Sequence, residues 1–123
     1  CWKTPVAILY RCDADGGNIR MLSSNAVTEN TPAVLHDGRL LYTRWEYVDR
    51  PACPIQSLWA IKPDGTGLSG YYGNRVISPG TFMDAQPVPG TGQILATAGH
   101  APTSSQPKSD GTTRTPSDFS ITP

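Results

Sequence analysis

The stretch Tyr10-Arg11-Cys12-Asp13-Ala14-Asp15-Gly16-Gly17-Asn18-Ile19 decides the fold, because it returns as Trp59-Ala60-Ile61-Lys62-Pro63-Asp64-Gly65-Thr66-Gly67-Leu68. Each copy opens on an aromatic residue at the end of an apolar run, passes an Asp-Gly pair and resumes with an apolar residue. Asp15-Gly16 and Asp64-Gly65 stand 49 residues apart, and Leu9-Tyr10 aligns with Leu58-Trp59 at the same offset. Asp-Gly between strand-like runs is a strong hairpin signal and predicts a two-residue turn with positive φ at its centre. A hairpin recurring every ~40–50 residues predicts propeller blades rather than independent domains.

A second repeat lies at an offset of 54: Ala33-Val34 matches Pro87-Val88, Gly38 matches Gly92, and Leu40-Leu41-Tyr42-Thr43 matches Ile94-Leu95-Ala96-Thr97. The expected fold is therefore all-β, a partial β-propeller of two to three blades of four-stranded antiparallel sheet. The propeller segment covers residues 1–100, with an outer hairpin at 5–22, a full blade at 33–72 and an inner hairpin at 86–98. Polar or Pro-rich stretches at 23–30, 46–56 and 73–84 read as loops. No window sustains apolar spacing at i, i+3, i+4 and i+7 without an intervening Gly or Pro, so no helix is expected. Residues 101–123 are mostly Ser, Thr, Pro, Asp and Gly, a composition too poor in apolar surface to offset ordering entropy, and predict a disordered tail.

The totals bound the function. With ten basic and ten acidic residues among 123, the chain carries no electrostatic footprint for nucleic acid. No apolar run approaches the ~18–20 residues of a membrane span. Twelve glycines and twelve prolines suit short strands joined by turns. Cys1, Cys12 and Cys53 form no C-x-x-C pair, which argues against structural zinc and covalent haem, and their spacing selects no disulfide. A first residue of Cys rather than Met reads as a fragment of a longer protein.

Certain motifs carry a resemblance. The run L-Y-x-x-x-A-D-G-x-N-I-R-x-L from Leu9, and L-W-A-x-x-P-D-G-T from Leu58, are similar to TolB-like, WD40-like propeller repeats. Within that group, His36 to Arg50 (H-D-G-R-L-L-Y-T-R-W-E-Y-V-D-R) resembles the middle domain of the hydrazine synthase alpha subunit and its relatives. The resemblance covers residues 1–100 and implies an exported, periplasmic or otherwise extracytoplasmic module. It places haem c elsewhere in the parent protein and no cofactor in this segment. Relatives of this kind continue with a turn reading Asn-Asp-Pro-Asp-Ala-Ile-Arg. A shifted reading frame over Gly111–Asp118 can encode that string, so the tail reads as a frameshifted third blade.

No catalytic set coheres. Gly65-Thr66-Gly67-Leu68-Ser69-Gly70 matches G-x-G-x-x-G but lacks a following helix, so it reads as a hairpin turn. Asp13-Ala14-Asp15-Gly16-Gly17-Asn18 begins like a calcium loop, yet Ser24 stands where a twelfth-position Glu is needed. Asp15, Gly16, Asp37, Gly38, Asp64 and Gly65 are structural turn residues, and His36 belongs to the second of these turns. His100 ends an inner strand, where a propeller lines its channel, and is the stronger functional histidine. Trp45, Glu46, Tyr47, Asp49 and Arg50 form the candidate interaction loop. The competing view packs Trp45 and Tyr47 between blades and pairs Glu46 or Asp49 with Arg44 or Arg50. The expected function is a non-catalytic scaffold that binds a protein partner or the remaining blades of its own chain. The alternatives are a TolB-like envelope protein-binding module and the propeller of a larger enzyme.

Overall fold

A computed structural model of the chain describes residues 6–45, 56–76, 79–99 and 118–121. Among these there are nine strands and no helix: β1 (Tyr10–Arg11), β2 (Arg20–Met21), β3 (Glu29–Val34), β4 (Leu40–Trp45), β5 (Gln56–Ile61), β6 (Ser69–Tyr72), β7 (Thr81–Pro87), β8 (Ile94–Gly99) and β9 (Asp118–Ile121). β1 and β2 form a hairpin of their own, and β3-β4-β5-β6 is an antiparallel meander. β7, β8 and β9 continue as a second antiparallel set, joined to the meander by one parallel bridge, Gln56 to Thr81. No closed sheet occurs among the described residues. We refer to β1–β2 as unit 1, β3–β6 as unit 2 and β7–β9 as unit 3.

The three units are layers. Strand side chains alternate between faces. Leu41, Leu58 and Ala60 of unit 2 join Phe82, Ala85, Ile94, Ala96 and Ala98 of unit 3 in one core. Tyr42 and Ile61 point the other way and join Leu9, with Leu22, Leu40 and Trp59 packed around them. Unit 2 is thus covered on both faces, which is why Leu40-Leu41-Tyr42 and Leu58-Trp59-Ala60-Ile61 read as unbroken apolar runs rather than as alternating ones.

Hydrogen bonds repeat with the sequence. Asp13 N donates to Gly17 O and Gly16 N to Asp13 O; 49 residues on, Lys62 N donates to Thr66 O and Gly65 N to Lys62 O. Leu35, Gly38 and Arg39 close the same ring. These loops hold three residues, not the two expected: a type I turn is followed by one left-handed residue, and the glycine takes it, at φ +84° for Gly16, +83° for Gly38 and +85° for Gly65. The fourth turn, closed by Val88 and Gln93, is one residue longer. That insertion corrects the alignment of units 2 and 3, which is 53 residues before the turn and 54 after it.

The loop readings at 23–30 and 73–84 need correcting, because β3 and β7 begin inside them. Each carries a bulge, between Asn30 and Ala33 and between Met83 and Gln86, and each bulge holds a left-handed residue, Thr31 at φ 48° and Asp84 at φ 53°. Polar, turn-like composition is what a bulged strand looks like in sequence. The disordered-tail reading is corrected at Asp118–Ile121, which pairs with β8 so that Phe119 lies opposite Ala96. By register this is the position of Trp59 opposite Tyr42, so an aromatic residue stands at the same place in each third strand: Tyr10, Trp59 and Phe119. The remainder of 101–123 lies outside the described residues.

Candidate functional site

The chemistry of the molecule is concentrated where its units meet. Ala7 O accepts from Glu29 N (2.8 Å) at the first joint, and Gly80 O from Gln56 N (3.2 Å) at the second. Ala7 corresponds to Gln56 at the 49-residue offset and Glu29 to Phe82 at the 53-residue offset. Both joints therefore bring the start of one unit's third strand to the start of the next unit's first strand.

At the first seam that geometry assembles a polar cluster. Leu9 N donates to Ser23 Oγ at 3.0 Å, and Ser23 Oγ donates to Glu29 Oε2. Arg44 lies opposite Glu29 in the β3–β4 register, with Nη1 3.7 Å from Oε1. Its guanidinium sits over the Trp59 ring, 4.8 Å from the centroid, a cation–π arrangement. Trp59 Nε1 in turn donates to Ser57 Oγ at 2.9 Å. Burial pushes the Tyr42 phenol up to about 12, and the nearby Glu29 charge adds to the shift. Glu29 is only 2% exposed, yet its Oε1, the Tyr42 hydroxyl, and Nε and Nη1 of Arg44 have no hydrogen-bond partner. The arrangement is an under-satisfied charged latch between units.

At the second seam the corresponding positions are apolar. Ser23 becomes Tyr72, Glu29 becomes Phe82, Arg44 becomes Ala98 and Tyr42 becomes Ala96. Tyr72 and Phe82 meet edge to face, with centroids 5.2 Å apart at 86°. The fit is close: a Cβ on Gly73 would stand 2.7 Å from the Phe82 ring.

A second feature lies at the turn end. Arg11, Asp37, Gly38, Arg39, Lys62, Pro63 and Asp64 line an open depression of ≈ 620 Å³. Its carboxylates are already engaged. Asp37 takes the backbone and side chain of Arg39, Asp64 takes the side chain and backbone of Thr66, and these bonds hold both carboxyls below their ordinary range. Arg11 Nη1 donates to Pro63 O at 2.9 Å, tying unit 1 to the β5–β6 turn.

The residues nominated from sequence are scattered by comparison. Asp15, Gly16, Asp37, Gly38, Asp64 and Gly65 occupy turns, and Asp15 Oδ1 accepts from Gly17 N at 2.8 Å. His36 Nε2 lies 3.2 Å from Val88 O, joining two turns. Trp45 ends β4 half-buried, its amide donating to Thr28 O at 3.0 Å. Glu46, Tyr47, Asp49, Arg50 and His100 lie outside the described residues, as do Cys1 and Cys53; Cys12 is an exposed free thiol. Among the described residues the acid beside Arg44 is Glu29. The sequence reading missed Ser23 and Glu29 because both fall in the stretch taken for a loop, and its available signal was Arg44 inside an apolar strand. The described residues hold no cluster of three or more His, Cys, Asp or Glu that could hold a metal ion, and no helix long and apolar enough to cross a membrane. No family model, curated protein or solved structure matches the chain.

Proposed function

We propose that this chain is a non-catalytic scaffold of the β-propeller kind, a stack of blades whose exposed faces and ends bind further blades or a protein partner. The observation that supports it is the repeated joint: in both cases the start of one unit's third strand, Ala7 or Gln56, meets the start of the next unit's first strand, at Glu29 or beside Thr81, although the hydrogen bonds run in opposite directions and the side chains around them differ in chemistry. A rule carried by backbone and tolerant of side-chain change is how repeat arrays stack, each unit burying its face only on its neighbours. The family reading, a hydrazine-synthase-alpha-like module in an extracytoplasmic place, belongs to this proposal and rests on the His36–Arg50 run.

The test is to sequence the gene on both sides of this segment, express the longest open frame and determine its shape by small-angle scattering. The scaffold reading expects more hairpins at a spacing of ~50 residues and a closed, disc-shaped particle. Adjacent C-x-x-C-H motifs would favour the hydrazine-synthase-like parent, and a short periplasmic N-terminal domain the TolB-like one. A G-x-S-x-G domain fused to the frame would make the module part of an enzyme instead. An elongated particle without further repeats would overturn the proposal.

A further inference from the structure

The depression at the turn end is shared by two units. Unit 1 contributes Arg11, and the β3–β4 and β5–β6 turns of unit 2 contribute Asp37, Arg39, Lys62 and Asp64. Its three cations outnumber its two carboxylates by one. We infer that this depression binds the carboxylate side chains of an acidic segment on a protein partner. The inference rests on the scaffold reading above and names the chemistry of the partner.

The carboxylates of the lining are taken up by their own turns, and the cations are not. Asp37 and Asp64 hold equivalent places in the two turns, and the residue after each glycine serves them: Thr66 with its amide and hydroxyl, Arg39 with its amide and Nε. A hydroxyl is enough for the turn, so the guanidinium of Arg39 exceeds what the turn requires, and its two Nη groups make no hydrogen bond among the described residues. Arg11 uses Nη1 on Pro63 O and keeps its other donors. The stem of Lys62 lies over Gly67, where a Cβ would stand 3.4 Å from Cε. Its ammonium is attracted by Asp64 yet donates no hydrogen bond among the described residues. Gly38 leaves the floor open, with nothing within 4 Å of the place its Cβ would take.

A like-charge pair points the same way. Arg11 lies directly opposite Arg20 in the β1–β2 register, on the face that carries Leu9 and Leu22 towards unit 2. Like charges in directly opposed positions are destabilising, and Arg20 makes no hydrogen bond among the described residues. An anion received beside Arg11 turns that repulsion into shared attraction. A guanidinium fork pairs two N–H donors with the two oxygens of one carboxylate, which suits the free edges of Arg11 and Arg39. Asp37 and Asp64 remain charged at the same surface, so the excess of one positive charge matches carboxylates better than a phosphate dianion or a nucleic-acid backbone, whose binding calls for many cations.

The experiment titrates the full chain with the acetylated, amidated peptide Gly-Ser-Glu-Gly-Glu-Gly-Ser and follows backbone amide shifts. The expected result is saturable shifts at Gly38, Arg39, Lys62 and Asp64, with binding weakened severalfold when salt is raised from about 20 mM to about 300 mM. Lys62→Met keeps the stem over Gly67 and removes the charge, and should weaken binding about three- to fivefold. Arg20→Gln should weaken it about twofold, and Lys62→Glu, which reverses the local excess, should abolish it. Circular dichroism should be unchanged in all three variants, since neither side chain is hydrogen-bonded to the described fold. The inference is overturned if the Gln counterpart of the peptide shifts the same amides as strongly, if inorganic phosphate binds there more tightly than the peptide, or if Lys62→Glu binds as the parent does. Amide exchange separates this from failure of the scaffold reading: slow exchange at Glu29 and Gln56 in a chain that ignores the peptide leaves the stack standing and removes only the acidic partner.

Discussion

The two seams of this molecule join the same strands of successive units and differ in chemistry, which makes them a natural pair to compare. The seam between units 1 and 2 is filled by Ser23, Glu29, Arg44 and Tyr42; that between units 2 and 3 by Tyr72, Phe82, Ala98 and Ala96 at the matching positions. The apolar seam gains from area removed from water and from edge-to-face ring contact. The polar seam must recover the desolvation of a carboxylate, and replacing such buried pairs by apolar groups is often neutral or stabilising. The stacking geometry is therefore set by strand pairing and bulges, while side chains determine how strongly, and how specifically, each seam closes.

The largest effect is expected at the apolar seam. Phe82 is 2% exposed and is packed by Tyr72 and Gly73, so Phe82→Ala should cost about 3–5 kcal/mol, read as a lower urea midpoint at unchanged slope. At the polar seam, Glu29→Ala leaves Arg44 without its acid and should cost about 2–3 kcal/mol, somewhat less than for a fully buried pair because Arg44 retains 18% side-chain exposure. The double variant Glu29→Leu with Arg44→Met imitates the other seam and should return to within about 1 kcal/mol of the parent. If the double variant is no better than Glu29→Ala, the charged latch contributes more than its desolvation costs, and the comparison between seams breaks.

A pH titration sharpens the same comparison. The Tyr42 phenol is raised from its ordinary 10.0 to about 12 by burial and by Glu29, while the matching position at the other seam is Ala96. Below pH 10 the phenol is neutral in both folded and unfolded chains, and its contribution is fully present. Between pH 10 and about 12 the unfolded chain releases the proton that the folded chain retains, so stability falls by on the order of 2 kcal/mol. Thermal melts from pH 9 to 12 should show that slope in the parent. Tyr42→Phe should flatten it and leave neutral-pH stability within about 1 kcal/mol, since the hydroxyl it removes lies near Glu29 and Arg44 without a well-formed hydrogen bond to either. An unchanged alkaline slope in Tyr42→Phe would place its source elsewhere.

What the sequence conveyed and what it hid follow from the same physics. Strands of unit 2, buried on both faces, announce themselves as Leu40–Thr43 and Leu58–Ile61, and the Asp-Gly turns mark their ends. The first halves of β3 and β7 were illegible because a bulge with a left-handed residue, Thr31 or Asp84, imports the composition of a loop, while Ala33-Val34 and Gln86-Pro87 beyond it read as strand. β9 was hidden by its surroundings: Asp118-Phe119-Ser120-Ile121 alternates polar and apolar, but four residues cannot outweigh a polar window of twenty-three. The polar seam was illegible for a different reason. Glu29 and Arg44 are 15 residues apart and meet only through the β3–β4 register, which no local pattern encodes. Function is hidden further still, since strand pairing specifies how the units meet and carries no chemistry of its own.

The smallest expected difference lies between two copies of the same turn. Gly16 and Gly65 have nearly equal φ, +84° and +85°, so the left-handed conformation alone predicts equal costs of about 1 kcal/mol for replacement by Ala. Their surroundings differ. A Cβ on Gly16 meets nothing within 4 Å, whereas one on Gly65 stands 3.1 Å from the Leu22 carbonyl oxygen, across the first seam. Gly65→Ala should therefore cost several tenths of a kcal/mol more than Gly16→Ala, because unit 1 must shift to admit the methyl. The excess should disappear in a Glu29→Ala background, where the latch that holds unit 1 in place is already broken. Equal costs in both backgrounds would mean that unit 1 moves freely over the β5–β6 turn, and that the polar seam fixes its chemistry without fixing its position.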